Sequence, residues 1–404
     1  MTGEPMRKPE TRKNRGLFPA AFGRFTLTLE PAPDPATLKA FWLDLERRAE
    51  PSFFLSWTWI GCWVRTLPPE TKPWLLILRD GSSIVGLALF VSRCCRRLAL
   101  LPMRRWWLHE TGDPLADILT IEDNGILLAR DCGSDLPCII LGWLLENLPG
   151  CDEMILGGIG PELELAAGCA ATAAGFAPRI LSETVRPYVD LSAARGQGHR
   201  LGHDGDDDYL ALLGRGTRHA VRRAVRLYEA SGPLRFSVAR DSAEALDYFA
   251  RMKLLHQAHW RRRGQPGAFA APVFERFHDG LIRDGVAAGS VELCRVSAGD
   301  REIGYLYNFT WRGWVHAYQS GFAYDKDNRL KPGLVSHYLA IRHALDEGRL
   351  VYDFMAGDGQ HKRSLSTHAT RLVWLALTAE GLPRKVEGAL RRLKHRLLRP
   401  PKRT

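Results

Sequence analysis

The chain has 404 residues, 45% of them hydrophobic, and 56 Lys and Arg against 45 Asp and Glu, for a net charge of +11. That length and apolar content suffice for two domains with full cores. The charge is confined to the ends: residues 1–24 carry +4 and residues 384–403 carry +8, so the body between is near neutral, which argues against a DNA-binding domain. Eight cysteines show no Cys-x-x-Cys spacing and sit among apolar or small neighbours, the pattern of buried free thiols in a reducing cytoplasm. No apolar run approaches the ~20 residues of a membrane span, and none follows the basic start. A cytoplasmic protein is expected.

Residues 1–24 are basic and aperiodic and are expected to be disordered. Phe25–Leu29 reads as a strand, and Thr37–Arg48 as a helix with Leu38, Phe41, Trp42 and Leu45 on one stripe. Trp57–Leu67 is a second helix. Trp74–Leu78 and Ile84–Val91, joined at Asp80-Gly81, form a hairpin. Trp106 and Trp107 suggest a stacking surface for a sugar or base, but packing at a strand edge or domain interface is the favoured reading. Leu136–Asn147 is a helix, Glu153–Leu156 a strand, Pro161–Ala174 a helix and Tyr188–Leu191 the last strand of this half.

Residues 192–207 are rich in Gly and charge and read as a linker. Its His199, His203, Asp204, Asp206 and Asp207 lack the held geometry of a metal site. Asp208–Tyr228 reads as one helix carrying Arg215, Arg218, Arg222, Arg223 and Arg226, a face suited to an anion or simply solvated. The second half then repeats the order of the first: strand 235–239, helices 241–260 (with Ser242 as N-cap) and 272–283, strand 291–296, and the hairpin 302–310/314–322. His256 and His259 form a His-x-x-His cluster that reads as packed or exposed histidine rather than zinc. Leu334–Gly348 is a helix entered through Lys331-Pro332-Gly333. Strand 350–355 and the polar loop 356–362 follow. A helix start of this kind suits a pyrophosphate, because its free N–H groups and dipole attract an anion. No Walker A motif, Gly-x-Ser-x-Gly elbow, His-Glu-x-x-His or dinucleotide fingerprint occurs.

Gly321-Phe322-Ala323-Tyr324-Asp325, Pro332-Gly333-Leu334-Val335, Ala340-Ile341-Arg342, Tyr352-Asp353-Phe354, Gly357-Asp358 and Lys362 resemble the motifs of the CelD/BcsL-like bacterial acyltransferases, relatives of the FemAB aminoacyl transferases. The likeness spans roughly Phe41 to Leu377. It implies an α/β (α+β) fold of two tandem GNAT-like domains, each a mixed, mostly antiparallel sheet flanked by helices. The halves are expected at 25–191 and 208–380, with a basic amphipathic tail at 381–404. It also implies acyl-CoA as co-substrate, no resident cofactor, and a sugar or envelope-precursor acceptor.

The chemistry expected of such a domain divides the candidates by task. Arg329, Lys331, Gly333 and Leu334 are placed at the CoA phosphates. Pro332 stands where the family's phosphate loop has its first Gly, and it removes an N–H donor. Asp353 and Asp358 are the candidate bases, Lys362 the cation for developing negative charge, and Tyr318 a further catalytic candidate. Trp260, Gln319 and Tyr352 are assigned to the acceptor. No metal ligand set is expected. The tail, with Val386, Leu390, Leu393, Leu397 and Leu398 at helical spacing, suits either an anionic membrane surface or packing on the second half. Two other readings remain open: a FemAB-like transferase using aminoacyl-tRNA, and an inactive double-GNAT scaffold in polysaccharide assembly.

Overall fold

The computed structural model describes residues 20–97, 101–195 and 208–380. The first half runs β1 (Ala20–Phe22), β2 (Phe25–Pro31), α1 (Pro35–Arg48), α2 (Trp57–Thr66), β3 (Trp74–Asp80), β4 (Ser83–Arg97), β5 (Leu101–Leu108), β6 (Leu127–Leu128), α3 (Leu136–Asn147), β7 (Glu153–Ile159), α4 (Pro161–Ala173) and β8 (Phe176–Asp190). Two short helices, α5 (Leu191–Ala194) and α6 (Asp208–Leu212), flank the break between halves. The second half runs α7 (Arg215–Glu229), β9 (Leu234–Val238), α8 (Ser242–Arg262), α9 (Pro272–Ala287), β10 (Val291–Ala298), β11 (Arg301–Trp311), β12 (Trp314–Phe322), α10 (Pro332–Asp346), β13 (Val351–Asp353), α11 (Gln360–Leu365) and β14 (His368–Ala379).

All these strands join one sheet, ordered β1-β2-β3-β4-β5-β7-β14-β8-β13-β12-β11-β10-β9, with β6 beside β4. Only β5–β7 and β12–β13 pair in parallel; the other named pairs are antiparallel. Each half therefore has the same plan: a strand, two helices, a meander, a helix, a parallel strand, a helix and a last strand. The last strands are exchanged. β14 lies against β7 of the first half, whereas β8 lies against β13 of the second, and β8 and β14 pair with each other over their length. An aromatic core containing Trp42, Phe53, Phe54, Trp59, Tyr307 and Phe309 is built from α1, α2, α8 and α9 together, so the halves share it as well.

Several expected elements change in detail. The helix expected over 208–228 is broken at Leu213-Gly214, where Gly214 becomes the N-cap of α7. Asp241 rather than Ser242 caps α8, its carboxylate accepting from the N–H groups of Ala243 and Glu244. The strand expected over 350–355 is confined to 351–353, and the loop expected up to Lys362 gives way to α11 from Gln360. Trp106 and Trp107 are buried in a central strand, which settles them as packing residues. All eight cysteines are free; Cys62, Cys151 and Cys294 are buried, but Cys94 and Cys169 are exposed, contrary to expectation. Most of the 192–207 linker and all of the 381–404 tail lie outside the described residues. Among the described residues, no helix is long and apolar enough to cross a membrane, and no cluster could hold a metal ion.

Candidate active site

The site follows from where β12 and β13 part. Their parallel pairing covers only Trp314–His316 against Val351–Asp353; beyond it β12 runs on to Phe322 while β13 stops. Just past that point β12 bulges, with Ala317 opposite Asn308 and Gln319 opposite Tyr307, so that Tyr318 falls out of register. A bulge beside an opening between strands re-aims backbone N–H groups toward whatever enters it.

His316 and Asp353 form the last register pair of the two strands, and their side chains meet: His316 Nδ1 lies 2.8 Å from Asp353 Oδ2. Arg186 on β8 donates to the same carboxylate from Nε at 2.8 Å and from a terminal nitrogen at 2.5 Å, and it also pairs with Asp123. Asp353 is fully buried. Burial alone pushes its carboxyl upward, but Arg186 and His316 outweigh that and hold it well below the usual carboxylate range. The expected base Asp353 is thus a locked anion whose contact orients His316.

The next residues form a second charged group. Glu122, from the loop after β5, is buried and accepts from the Ala356 N–H at 2.8 Å. Burial pushes its carboxyl up to about 7, with the Asp353 charge adding to the rise. Lys362 Nζ donates to the carbonyls of Ala356 (2.7 Å) and Met355 (3.2 Å). Burial lowers its pKa, opposed by the charges of Glu122 and Asp353. Gly357 adopts φ +124, a conformation that favours glycine, and a Cβ there would stand 3.3 Å from Lys362 Nζ, a tight contact at the end of a flexible side chain. Tyr318 donates from its hydroxyl to Leu119 O at 2.7 Å, tying the bulge to the first half, and burial raises its phenol well above its ordinary value.

On the other face of the sheet, Thr217, Phe322, Lys331, Gly333, Leu334 and His361 help line a cavity of about 420 Å³. The N-termini of α7 and α10 both open onto it, and neither carries a side-chain cap. Lys331, the N-cap of α10, holds φ +44, a left-handed conformation that costs a non-glycine residue of order 1 kcal/mol.

Of the expected phosphate ligands, Lys331, Gly333 and Leu334 line this cavity, whereas Arg329 is exposed with its guanidinium engaged by Asp327. Asp358 is exposed and pairs with Arg363 at 3.0 Å. Tyr352 is in the core, its hydroxyl 2.9 Å from His337 Nδ1. Gln319 accepts from the neighbouring Ser320 N–H, and Trp260 packs against His256 and His259 at the end of α8. The structure thus gathers Lys362, Asp353 and Tyr318 around the parting strands and leaves Asp358 and Tyr352 outside that group. Glu122, Asp123, Arg186 and His316 were not anticipated. Glu122-Asp123-Asn124-Gly125 has the composition of a turn, and only His316, on the returning hairpin strand, carried a local signal.

A meander whose fourth strand bulges and parts from a parallel neighbour, with a helix N-terminus between them, is the plan of the GNAT acyltransferase fold. Residues 215–363 match the family model described as an acetyltransferase (GNAT) domain. Across both halves the fold is similar to that of FemX, at 12% identity and a TM-score of 0.54, covering 85% of this chain and 96% of FemX. It is similar also to L-PGS from Bacillus licheniformis, at 13% identity and a TM-score of 0.50, covering 90% of this chain and 98% of the other. Comparison with curated protein sequences gives no match.

Proposed function

We propose that the chain moves an acyl group, acetyl in the simplest case, from acyl-CoA to an amine or hydroxyl of a sugar or envelope-polysaccharide precursor. The observation that carries the donor assignment is the cavity at the paired N-termini of α7 and α10. The N–H groups of the first turn of α7 and that of Gly333 in α10, where Pro332 has none and Leu334 bonds to the Lys331 carbonyl, suit, with Lys331, the pyrophosphate of CoA. The phosphopantetheine arm then runs between β12 and β13, and the thioester reaches the bulge at Tyr318. A backbone N–H freed there polarises the thioester carbonyl, and Lys362 offsets the charge that develops on its oxygen. The acceptor attacks the carbonyl carbon, the C–S bond breaks and CoA leaves as the thiol. The sugar acceptor is supported by the motifs shared with the CelD/BcsL-like group.

Calorimetric titration of acetyl-CoA tests the donor. Micromolar binding is expected, weakened about tenfold by Lys331→Glu, which puts a carboxylate at the phosphate position. Four exposed arginines on α7 (215, 222, 223 and 226) favour a second reading, an aminoacyl-tRNA donor. Binding of charged tRNA without binding of acetyl-CoA would establish it in place of the first. Absence of both would leave the scaffold reading.

A further inference from the structure

A second cavity, of about 390 Å³, opens beside the parting strands and shares no lining residue with the donor cavity. It is bounded by Trp311, Trp314 and His316 from the second half and by Glu50, Ser52 and Asp123 from the first. His316 is only 3% exposed, yet it is among the lining residues. Its Nδ1 faces the Asp353 carboxylate, which can only accept a hydrogen bond, so Nδ1 carries the proton in the neutral ring. Nε2 is therefore the ring's lone-pair nitrogen, and it has no hydrogen-bond partner among the described residues. Trp314 stacks on the imidazole at 5.8 Å and fixes its plane from one side. A base with its tautomer set by a buried carboxylate, in a cavity walled by two indoles, is an arrangement for receiving a proton from a bound ring-shaped polar molecule.

Position supports the same role. His316 and Phe322 lie on one strand, six residues apart, a span of about 20 Å at the usual rise. Phe322 lines the donor cavity and His316 the second one. An extended phosphopantetheine arm anchored at the first would bring its thioester toward the second. The buried cation that holds the dyad is itself fixed from the first half, through Asp123.

The geometry points to this cavity as the acceptor site, taking a hexose-type ring with a free amine or hydroxyl lodged between Trp311 and Trp314, which line it, with His316 as the catalytic base and Asp353 as its positioning residue. The inference rests on the acyl-CoA reading above. The acceptor nitrogen or oxygen forms its bond to the acyl carbon as the C–S bond breaks. Its proton passes to His316 Nε2 and then to the departing CoA sulfur, leaving acylated sugar and free thiol with no other reactant.

The test separates the two sites. Saturation-transfer NMR with glucosamine and glucose, in the presence of CoA, is expected to show ring-proton contacts that Trp314→Ala abolishes. His316→Asn keeps a side-chain N–H for Asp353 but offers no base. It is expected to retain sugar contacts and acetyl-CoA affinity while losing acetyl transfer to glucosamine by at least about 100-fold, the contribution of a general base. Contacts unaffected by Trp314→Ala, no contact with either sugar, or transfer preserved in His316→Asn would each overturn the assignment. Acetyl-CoA binding measured on the same samples reports on the donor reading alone, so the failure of one is distinguishable from failure of the other.

Discussion

Glu122 gives the sharpest test of the electrostatics at the parting strands. Its carboxyl lies at 4.5 in the unfolded chain and rises to about 7 in the folded protein, chiefly through burial. Between those values the folded state holds a proton that the unfolded state has lost. Stability therefore falls as pH rises from 4.5 to about 7 and stays lowered above it. The difference corresponds to about 3 kcal/mol, at 1.36 kcal/mol per unit. Glu122→Gln keeps an oxygen for the Ala356 N–H but cannot ionise. Urea unfolding from pH 4.5 to 8 is expected to show the variant close to wild type at the acid end and more stable by up to about 3 kcal/mol at pH 8. Parallel profiles for the two proteins would refute the claim that Glu122 is a strained, buried acid.

Three further outcomes follow from the same contacts. Arg186→Met leaves Asp353 and Asp123 without their shared cation and should lower stability by about 3–5 kcal/mol, read as a fall in the urea midpoint at constant m-value. Lys362→Met removes the cation proposed to face the thioester; acetyl transfer should fall by about 100-fold while calorimetric acetyl-CoA affinity changes only a few-fold. Fragments 1–195 and 208–404, expressed separately, should each fail to give a cooperative unfolding transition, because each lacks the last strand its sheet pairs with, and co-expression should restore one.

Much of the fold was legible because its elements are locally consistent. The hairpin 301–322 is rich in aromatic and aliphatic residues on both sides of a Trp-Arg-Gly turn, and Leu136–Asn147 matches the expected helix to the residue. α10 begins earlier than expected because Pro332 occupies its first turn, where the missing N–H is not needed. The site was less legible because its charges converge from distant places. Arg186 meets Asp353 across 167 positions, and Glu122 meets Ala356 across 234. No local pattern marks an arginine in a largely solvent-facing strand as the buried partner of a carboxylate from which six helices and four strands separate it. Asp358, between two glycines, had the local composition of a flexible catalytic loop, yet its carboxylate turns to Arg363 at the surface.

The strand exchange explains why this chain has two halves of like plan but gathers its ionised groups in one place. In the first half, the parallel pair β5–β7 is flanked by β14, whereas in the second half β12–β13 is flanked by β8. β8 brings Arg186 to Asp353, and the loop between β5 and β6 brings Glu122 and Asp123 against the same strand end. Without the first half, Asp353 would be a buried carboxylate lacking its arginine, and it would protonate or expose itself to water. The imidazole it orients would then lose its preferred tautomer. The first half thus acts on the chemistry of the second by supplying the counter-charge that keeps Asp353 ionised.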